Sequence, residues 1–346
     1  MATLTHTAYV SRKIIKFGGF GVLALVLVYW SVGLAWAAYL KAFPPYVAPT
    51  VRFGILPKII FSEKTINKKT FTLELPNDVF PKFKDQANVY VIYRSKSVIG
   101  ALEEAKKTAN LIGFKNQPTE LSTGIYQFND PNTNKNLVMN VLGDSFKLTY
   151  DYLNDQSLLN PDKIPTNQES VSTSKAFLSQ TSKLYKDLDE GTNKITYWKI
   201  GFGALSEVKG LTDANIIRVD FFRKQLEGER NIVTDSLDKS SVSFLLSGSS
   251  VAGKKIVEVN YKYVNVDDSA PSTYPIKTPQ AAFDDMKSGY YWPATDVEAS
   301  TVTIRKVSLA YFEPITPVQF LQPVYVFEGD GGFVAYVPAV TDKYTK

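Results

Sequence analysis

The chain has 346 residues, of which 44% are hydrophobic, 13% aromatic and 21% charged. That balance folds, and the length allows two to three domains. Cys is absent and His6 is the one histidine, which excludes disulfides, thiolate nucleophiles, Cys-ligated zinc and Ser-His-Asp or Cys-His machinery. Of the formal net charge of +5, four units come from Arg12, Lys13, Lys16 and Lys41, and residues 1–41 hold no acid. Outside them 35 basic residues face 34 acidic ones. The longest outer basic cluster is Lys64, Lys68 and Lys69, so no nucleic-acid partner is expected, because such surfaces are strongly and locally basic.

Phe17 to Leu40 is a run of 24 residues without a charge. At about 1.5 Å per residue it reaches roughly 36 Å, enough to cross a ~30 Å hydrocarbon core. The spacing predicts a transmembrane helix over 17–41, with Trp36 and Tyr39 suited to an interfacial belt. The preceding basic cluster places residues 1–16 as a cytoplasmic tail and the rest outside the cytoplasm. The Ala35-Trp36-Ala37 triplet resembles a signal-peptidase site, yet the apolar stretch before it is longer than an ordinary signal core. An uncleaved single-pass anchor in the cell membrane is therefore expected.

Residues 42–69 carry Pro44, Pro45, Pro49 and Pro57, which predicts an extended stalk. Phe71–Leu75 and Val89–Tyr93 read as strands. A pattern of one helix followed by antiparallel strands then recurs three times. The first helix is expected from Ser97 to Leu111, with strands at Gly124–Phe128, Asn136–Val141 and Ser145–Tyr152 and a tight Gly143-Asp144 turn. The second runs from Asn167 to about Leu184, with strands at Lys194–Ile200, Ile216–Arg223, Val242–Ser247 and Lys255–Tyr263. The polar segment Lys224 to Ser240 between them is expected to be an exposed loop. The third helix opens at Thr278-Pro279, an N-cap with Pro at N1, and stops at Gly289. Its strands follow at Val302–Phe312, Val324–Glu328 and Gly332–Val337, and the tail Thr341–Lys346 is expected to fray. The fold class is α+β: an N-terminal transmembrane helix and repeated helix-plus-antiparallel-sheet units over 70–153, 154–264 and 265–346.

Three phrases near the end are distinctive: Val307-Ser308-Leu309-Ala310-Tyr311-Phe312, Leu321-Gln322-Pro323-Val324-Tyr325-Val326-Phe327 and Gly332-Phe333-Val334-Ala335-Tyr336-Val337-Pro338-Ala339. Together they resemble the end of a PepSY-like module, and most nearly the extracytoplasmic YycH/YycI regulators of a sensor kinase. The stalk phrase Val51-Arg52-Phe53-Gly54-Ile55-Leu56-Pro57 and the layout are also similar to uncharacterised anchored proteins of candidate-phyla-radiation bacteria. The resemblance implies a single-pass envelope protein with PepSY-like units outside, a YycI-like last unit and a regulatory, protein-binding role. It brings no catalytic residue and no cofactor.

Four constellations are candidates for chemistry. Asp187, Asp189, Glu190 and Asn193 place four oxygen ligands about Gly191, a weak calcium-loop candidate that departs from the EF-hand pattern. Glu103-Glu104, Asp267-Asp268 and Asp284-Asp285 are adjacent carboxylates. Neighbours on one element diverge, whereas a glycosidase pair must face across a cleft. The glycine-rich Gly329–Gly332 leads into a strand and reads as a hairpin, not a phosphate cradle. Tyr290, Tyr291 and Trp292 form either a partner-binding aromatic patch or a cover for the sheet. The chain is thus expected to be a non-enzymatic, membrane-anchored protein without metal or small-molecule cofactor, binding or regulating another envelope protein. The alternatives are a structural or assembly subunit of an envelope complex, and a cell-wall glycan enzyme working through carboxylates alone.

Overall fold

The computed structural model describes residues 4–43, 46–61, 68–93, 100–130, 132–143, 145–159, 163–251, 253–314 and 318–346. Ser97, Pro44, Pro45, Lys64 and Asp144, which figure in the sequence expectations, lie outside these residues. Contacts divide the chain into two compact units, Met1–Ala48 and Pro49–Lys346.

The first unit is one helix, α1 (Leu4–Ala42). No Gly or Pro interrupts its first three turns, so it begins well before the uncharged run and carries Arg12, Lys13 and Lys16 on its own surface. Its stretch Thr7–Ala42 is long and apolar enough to cross a membrane. Trp36 stacks on Tyr39 at 5.7 Å, and Tyr39 meets Phe43 at 5.2 Å. Lys41 in the last turn complements the helix dipole.

The second unit follows in chain order as β1 (Thr70–Leu73), β2 (Gln86–Tyr93), α2 (Ala101–Leu111), β3 (Thr119–Ser122), β4 (Ile125–Asp130), β5 (Lys135–Asn140) and β6 (Ser145–Tyr150). Next come α3 (Asn167–Gln180), the single turn α4 (Lys186–Asp189), β7 (Thr192–Gly201), β8 (Ala204–Val208), β9 (Ile216–Phe222), β10 (Ile232–Val233), β11 (Val242–Ser247) and β12 (Ile256–Lys262). The last part holds β13 (Asn265–Pro275), α5 (Pro279–Lys287), β14 (Trp292–Thr295), β15 (Thr301–Phe312), β16 (Phe320–Gly329) and β17 (Val334–Pro338).

These strands form two sheets. A nine-stranded sheet runs β3-β4-β5-β6-β12-β11-β9-β7-β8, with every described pair antiparallel. An eight-stranded sheet runs β1-β15-β16-β17-β14, with β10 beside β15 and β2 joining β13 to β16. The helix-then-strands order therefore recurs as the sequence predicts, but the three separate units do not exist. β6 pairs with β12, fusing the strands of 70–153 and 154–264 into one sheet. β1 and β2 leave that region to pair with β15, β13 and β16. Units of that size bury a smaller share of their surface than a larger body does, and sharing a sheet enlarges each core.

In the nine-stranded sheet one face carries Phe128, Leu137, Phe146, Val219, Phe221, Phe244 and Tyr261 against Ala105 and Ala109 of α2 and Leu178 of α3. α3 starts in a capping box, Thr166 accepting from the Glu169 amide while Glu169 accepts from the Thr166 amide. In the eight-stranded sheet both faces are covered. Tyr325, Phe327, Phe333 and Val337 pack on Ala282, Phe283 and Met286 of α5. Val324, Val326 and Tyr336 pack with Trp292, Phe312, Ile59 and Phe61. That is why β16 is apolar without alternation.

Three expectations about loosely attached segments are overturned. Of the expected stalk, residues 49–61 are pinned to the body. Phe53 N donates to Tyr274 Oη at 2.9 Å, and Leu56 N donates to the Tyr344 carbonyl at 2.8 Å. Leu56 is fully buried with Val89, Tyr274 and Val340. The same bridge, Leu56 to Thr345, ties down the tail expected to fray. Prolines stop a helix there, but Phe53, Leu56 and Phe61 still gain by burial. Likewise, 224–240 is not simply an exposed loop. It supplies β10, parallel to β15, and buries Arg230 and Val233.

Candidate functional site

A cleft of about 390 Å³ opens where the nine-stranded sheet meets the 224–233 excursion. Glu190, Thr192, Arg223, Lys224, Gln225 and Asn231 line its polar side, and Phe222, Ile232 and Leu237 its apolar side. The acidic turn singled out in the sequence thus borders a cleft. Gly191 makes the approach possible, since a Cβ there would stand 1.9 Å from the Phe222 carbonyl oxygen.

Arg223, at the exit of β9, is the centre of the cluster beneath. Its Nε donates to Asp187 Oδ2 at 2.6 Å and its Nη1 to the Val264 carbonyl at 2.9 Å. Nη1 also lies 3.4 Å from Glu313 Oε2. The guanidinium sits 4.4 Å from the Tyr263 ring, which stacks on Tyr185 at 4.4 Å, and Tyr263 Oη donates to Asp187 Oδ1 at 2.7 Å. Burial opposes the Arg223 charge, yet Glu313, Tyr263 and Asp187 together push its pKa up. Burial also raises the Glu313 carboxyl, against the pull of Arg223 and Lys262. Its hydrogen bonds are long, 3.4 Å from Ser241 Oγ and 3.4 Å from Arg223.

The calcium-loop candidates do not converge. Asp187 turns to Arg223 and Tyr263, Asp189 to Lys175 at 2.6 Å, and Glu190 to Lys224 at 2.7 Å. Asn193 lies in β7 opposite Phe221. Among the described residues no group of three or more His, Asp or Glu is placed to hold a metal ion. The adjacent carboxylates diverge as well. Glu103 pairs with Lys106, Asp284 with Lys287 and Asp285 with Lys277, while Asp267 accepts from Ser269 at a β13 register shift.

The aromatic triplet is split. Tyr290 is 74% exposed, whereas Tyr291 and Trp292 are buried on opposite faces of the eight-stranded sheet. Trp292 stacks on Phe61 and Tyr336 at 5.4 and 5.6 Å, and Tyr291 meets Phe71 edge-on. The three therefore share no partner surface, because Tyr291 and Trp292 are buried in different cores of the sheet.

One arrangement had no sequence signal. Ser157 Oγ lies 3.1 Å from Lys254 Nζ, the spacing of a serine–lysine dyad. Lys254 is, however, 2.6 Å from Asp155, and that carboxylate raises the lysine pKa. A base must be neutral. The pair instead clips the 151–159 segment over the sheet, with Tyr150 also donating to Asp155.

The sequence matches no protein-family model, and no curated protein matches it significantly. Among solved structures, an uncharacterised protein from Eubacterium rectale ATCC 33656 is 13% identical, covering 81% of this chain and 90% of that chain with a TM-score of 0.41. The Bacillus megaterium YpeB C-terminal domain is 14% identical, covering 72% of this chain and 95% of that chain with a TM-score of 0.32. At these values both are loose likenesses of shape.

Proposed function

We propose that this is a single-pass membrane protein whose body from Pro49 onward lies outside the cytoplasm and binds or regulates another envelope protein without catalysing a reaction. One observation carries the reading. A helix able to cross a membrane, with basic residues on its N-terminal side, precedes a body whose cleft is walled by side chains already committed to one another. Asp187 and Glu190 each face a cation at the cleft or beneath it. A carboxylate so held serves recognition better than proton transfer, which needs a group poised to change charge. The regulatory part of the reading draws on the resemblance of the strands from Val307 to Ala339 to PepSY-like YycH/YycI regulators, with a sensor kinase as the partner class.

The test is site-specific photocrosslinking of the full chain in its native membrane, with the probe at Thr192 or Asn231 on the cleft rim. A discrete adduct to a kinase-bearing membrane protein supports the regulatory reading. An adduct to a wall- or secretion-assembly component replaces it with the assembly role. Crosslinks to glycan alone would overturn protein binding.

A further inference from the structure

The excursion that leaves β9 ends in a tight turn, Leu226 and Arg230 bonding each other's backbone at 2.8 and 2.9 Å. Two turn residues have positive φ, Glu227 at 55° and Gly228 at 77°. Glycine adopts this backbone freely, but glutamate does so at a cost. The strained backbone aims the Glu227 side chain into the eight-stranded sheet. There its Oε1 accepts from Tyr311 Oη at 2.6 Å, Asn88 Nδ2 at 2.9 Å and Tyr90 Oη at 3.0 Å. Its Oε2 faces Arg230 Nη1 at 3.1 Å. Tyr311 is fully buried, Arg230 and Tyr90 nearly so, and the two tyrosine rings meet edge-on at 5.2 Å. Leu226 packs beside them on Ile92 and Leu321. β2 and β15 supply three of the donors and the turn itself supplies the fourth.

We infer that Asn88, Tyr90, Tyr311 and Arg230 form a carboxylate-binding site, and that Glu227 is its built-in ligand, latching the excursion of one sheet onto the other. Neutral hydroxyl and amide donors that converge on one oxygen, with a cation on the second, suit a carboxylate and no apolar group. A turn needing only a left-handed residue at 227 is better served by glycine. The cleft of the candidate site lies behind this latch, with Gln225, Gly228 and Asn231 in its wall. The inference stands on this geometry alone and does not depend on the partner reading.

The test uses the full chain in detergent micelles. Glu227→Gly removes the carboxylate and relieves the positive φ together. The variant should melt below the wild type in sodium chloride. Sodium acetate at equal ionic strength should restore it saturably, and adding Tyr311→Phe should abolish the acetate effect. A variant as stable as the wild type in chloride overturns the inference, as does acetate acting no better than chloride. Should Glu227→Gly fail to fold in both salts, hydrogen exchange on Glu227→Gln decides between the outcomes. Exchange over residues 225–232 about tenfold faster than in the wild type, with the strand cores unchanged, supports the latch. Unchanged exchange there overturns it.

Discussion

Phe327 and Glu328 are chain neighbours with opposite fates. Phe327 is fully buried and lies 6.1 Å from Phe283 of α5, while Glu328 pairs with Lys306 at 2.8 Å near the surface. Phe327→Ala should cost about 3–5 kcal/mol, and Glu328→Ala no more than about 0.5 kcal/mol, as read by denaturant unfolding. Equal losses would refute this placement. Glu313 sets a pH dependence. Its folded pKa is raised by burial above the ordinary 4.5, so folding favours the protonated acid. That stability is present below the unfolded pKa and is lost as pH rises from about 4.5 through the folded value. The melting temperature should therefore decline over that window, and Glu313→Gln should flatten the decline. Asp155 acts in the opposite sense. Burial opposes its charge, but Lys254, Ser157 and Tyr150 hold its carboxyl below the usual range. Its contribution is present above the ordinary 3.8 and fades as the solution is acidified further, so Asp155→Asn should flatten the acid limb alone.

At the scale of elements, the turn from α4 into β7 depends on Gly191. A methyl group there meets the Phe222 carbonyl oxygen at 1.9 Å and the Asp187 carbonyl at 3.0 Å, both backbone. Gly191→Ala should push β7 from β9 at its start, widen the cleft and speed amide exchange at Thr192–Lys194. Unchanged exchange would show that the backbone relaxes freely. The start of α3 gives a milder case: Thr166→Ala removes one half of the capping box and should cost about 1 kcal/mol. α5 begins as its sequence predicts, Thr278 accepting from Ala281 N with Pro279 behind it, and Gly289 at φ 93° follows its end.

For the whole molecule, the anchor reading makes a topological prediction. Protease added to intact cells or spheroplasts should digest the body and spare an N-terminal tag. A protected body would reverse the orientation, and a mature chain lacking residues 1–37 would replace the anchor with a signal peptide. The two sheets of the body are joined by Arg223 to Glu313, by Glu227 to Tyr90 and Tyr311, and by β10. Arg223→Met would leave Glu313 buried beside one fewer cation. Its cost should exceed that of Arg223→Met paired with Glu313→Gln, measured as a double-mutant cycle.

The long apolar N-terminal helix, the other helix starts and most strands were legible because each is written in a local pattern. Charge-free length, period-2 or period-3.6 apolarity and a capping Thr-Pro are properties of a dozen neighbouring residues. That Tyr325 and Phe327 share a face follows from their spacing alone and is legible in the same way. The partner of each strand was not. β1 and β2 pair with strands about 180 to 230 residues away, and β3, β8 and β14 carry too little apolar alternation to announce themselves. Tertiary structure also decided where charges go. Asp187, Asp189 and Glu190 look like one ligand set in sequence and end on three different cations in space. Glu227 looks like a solvated turn residue and ends among buried tyrosines. Local spacing determines which side chains share a face. Long-range pairing determines what that face meets, and it is set by the joint burial of apolar surface across the whole body.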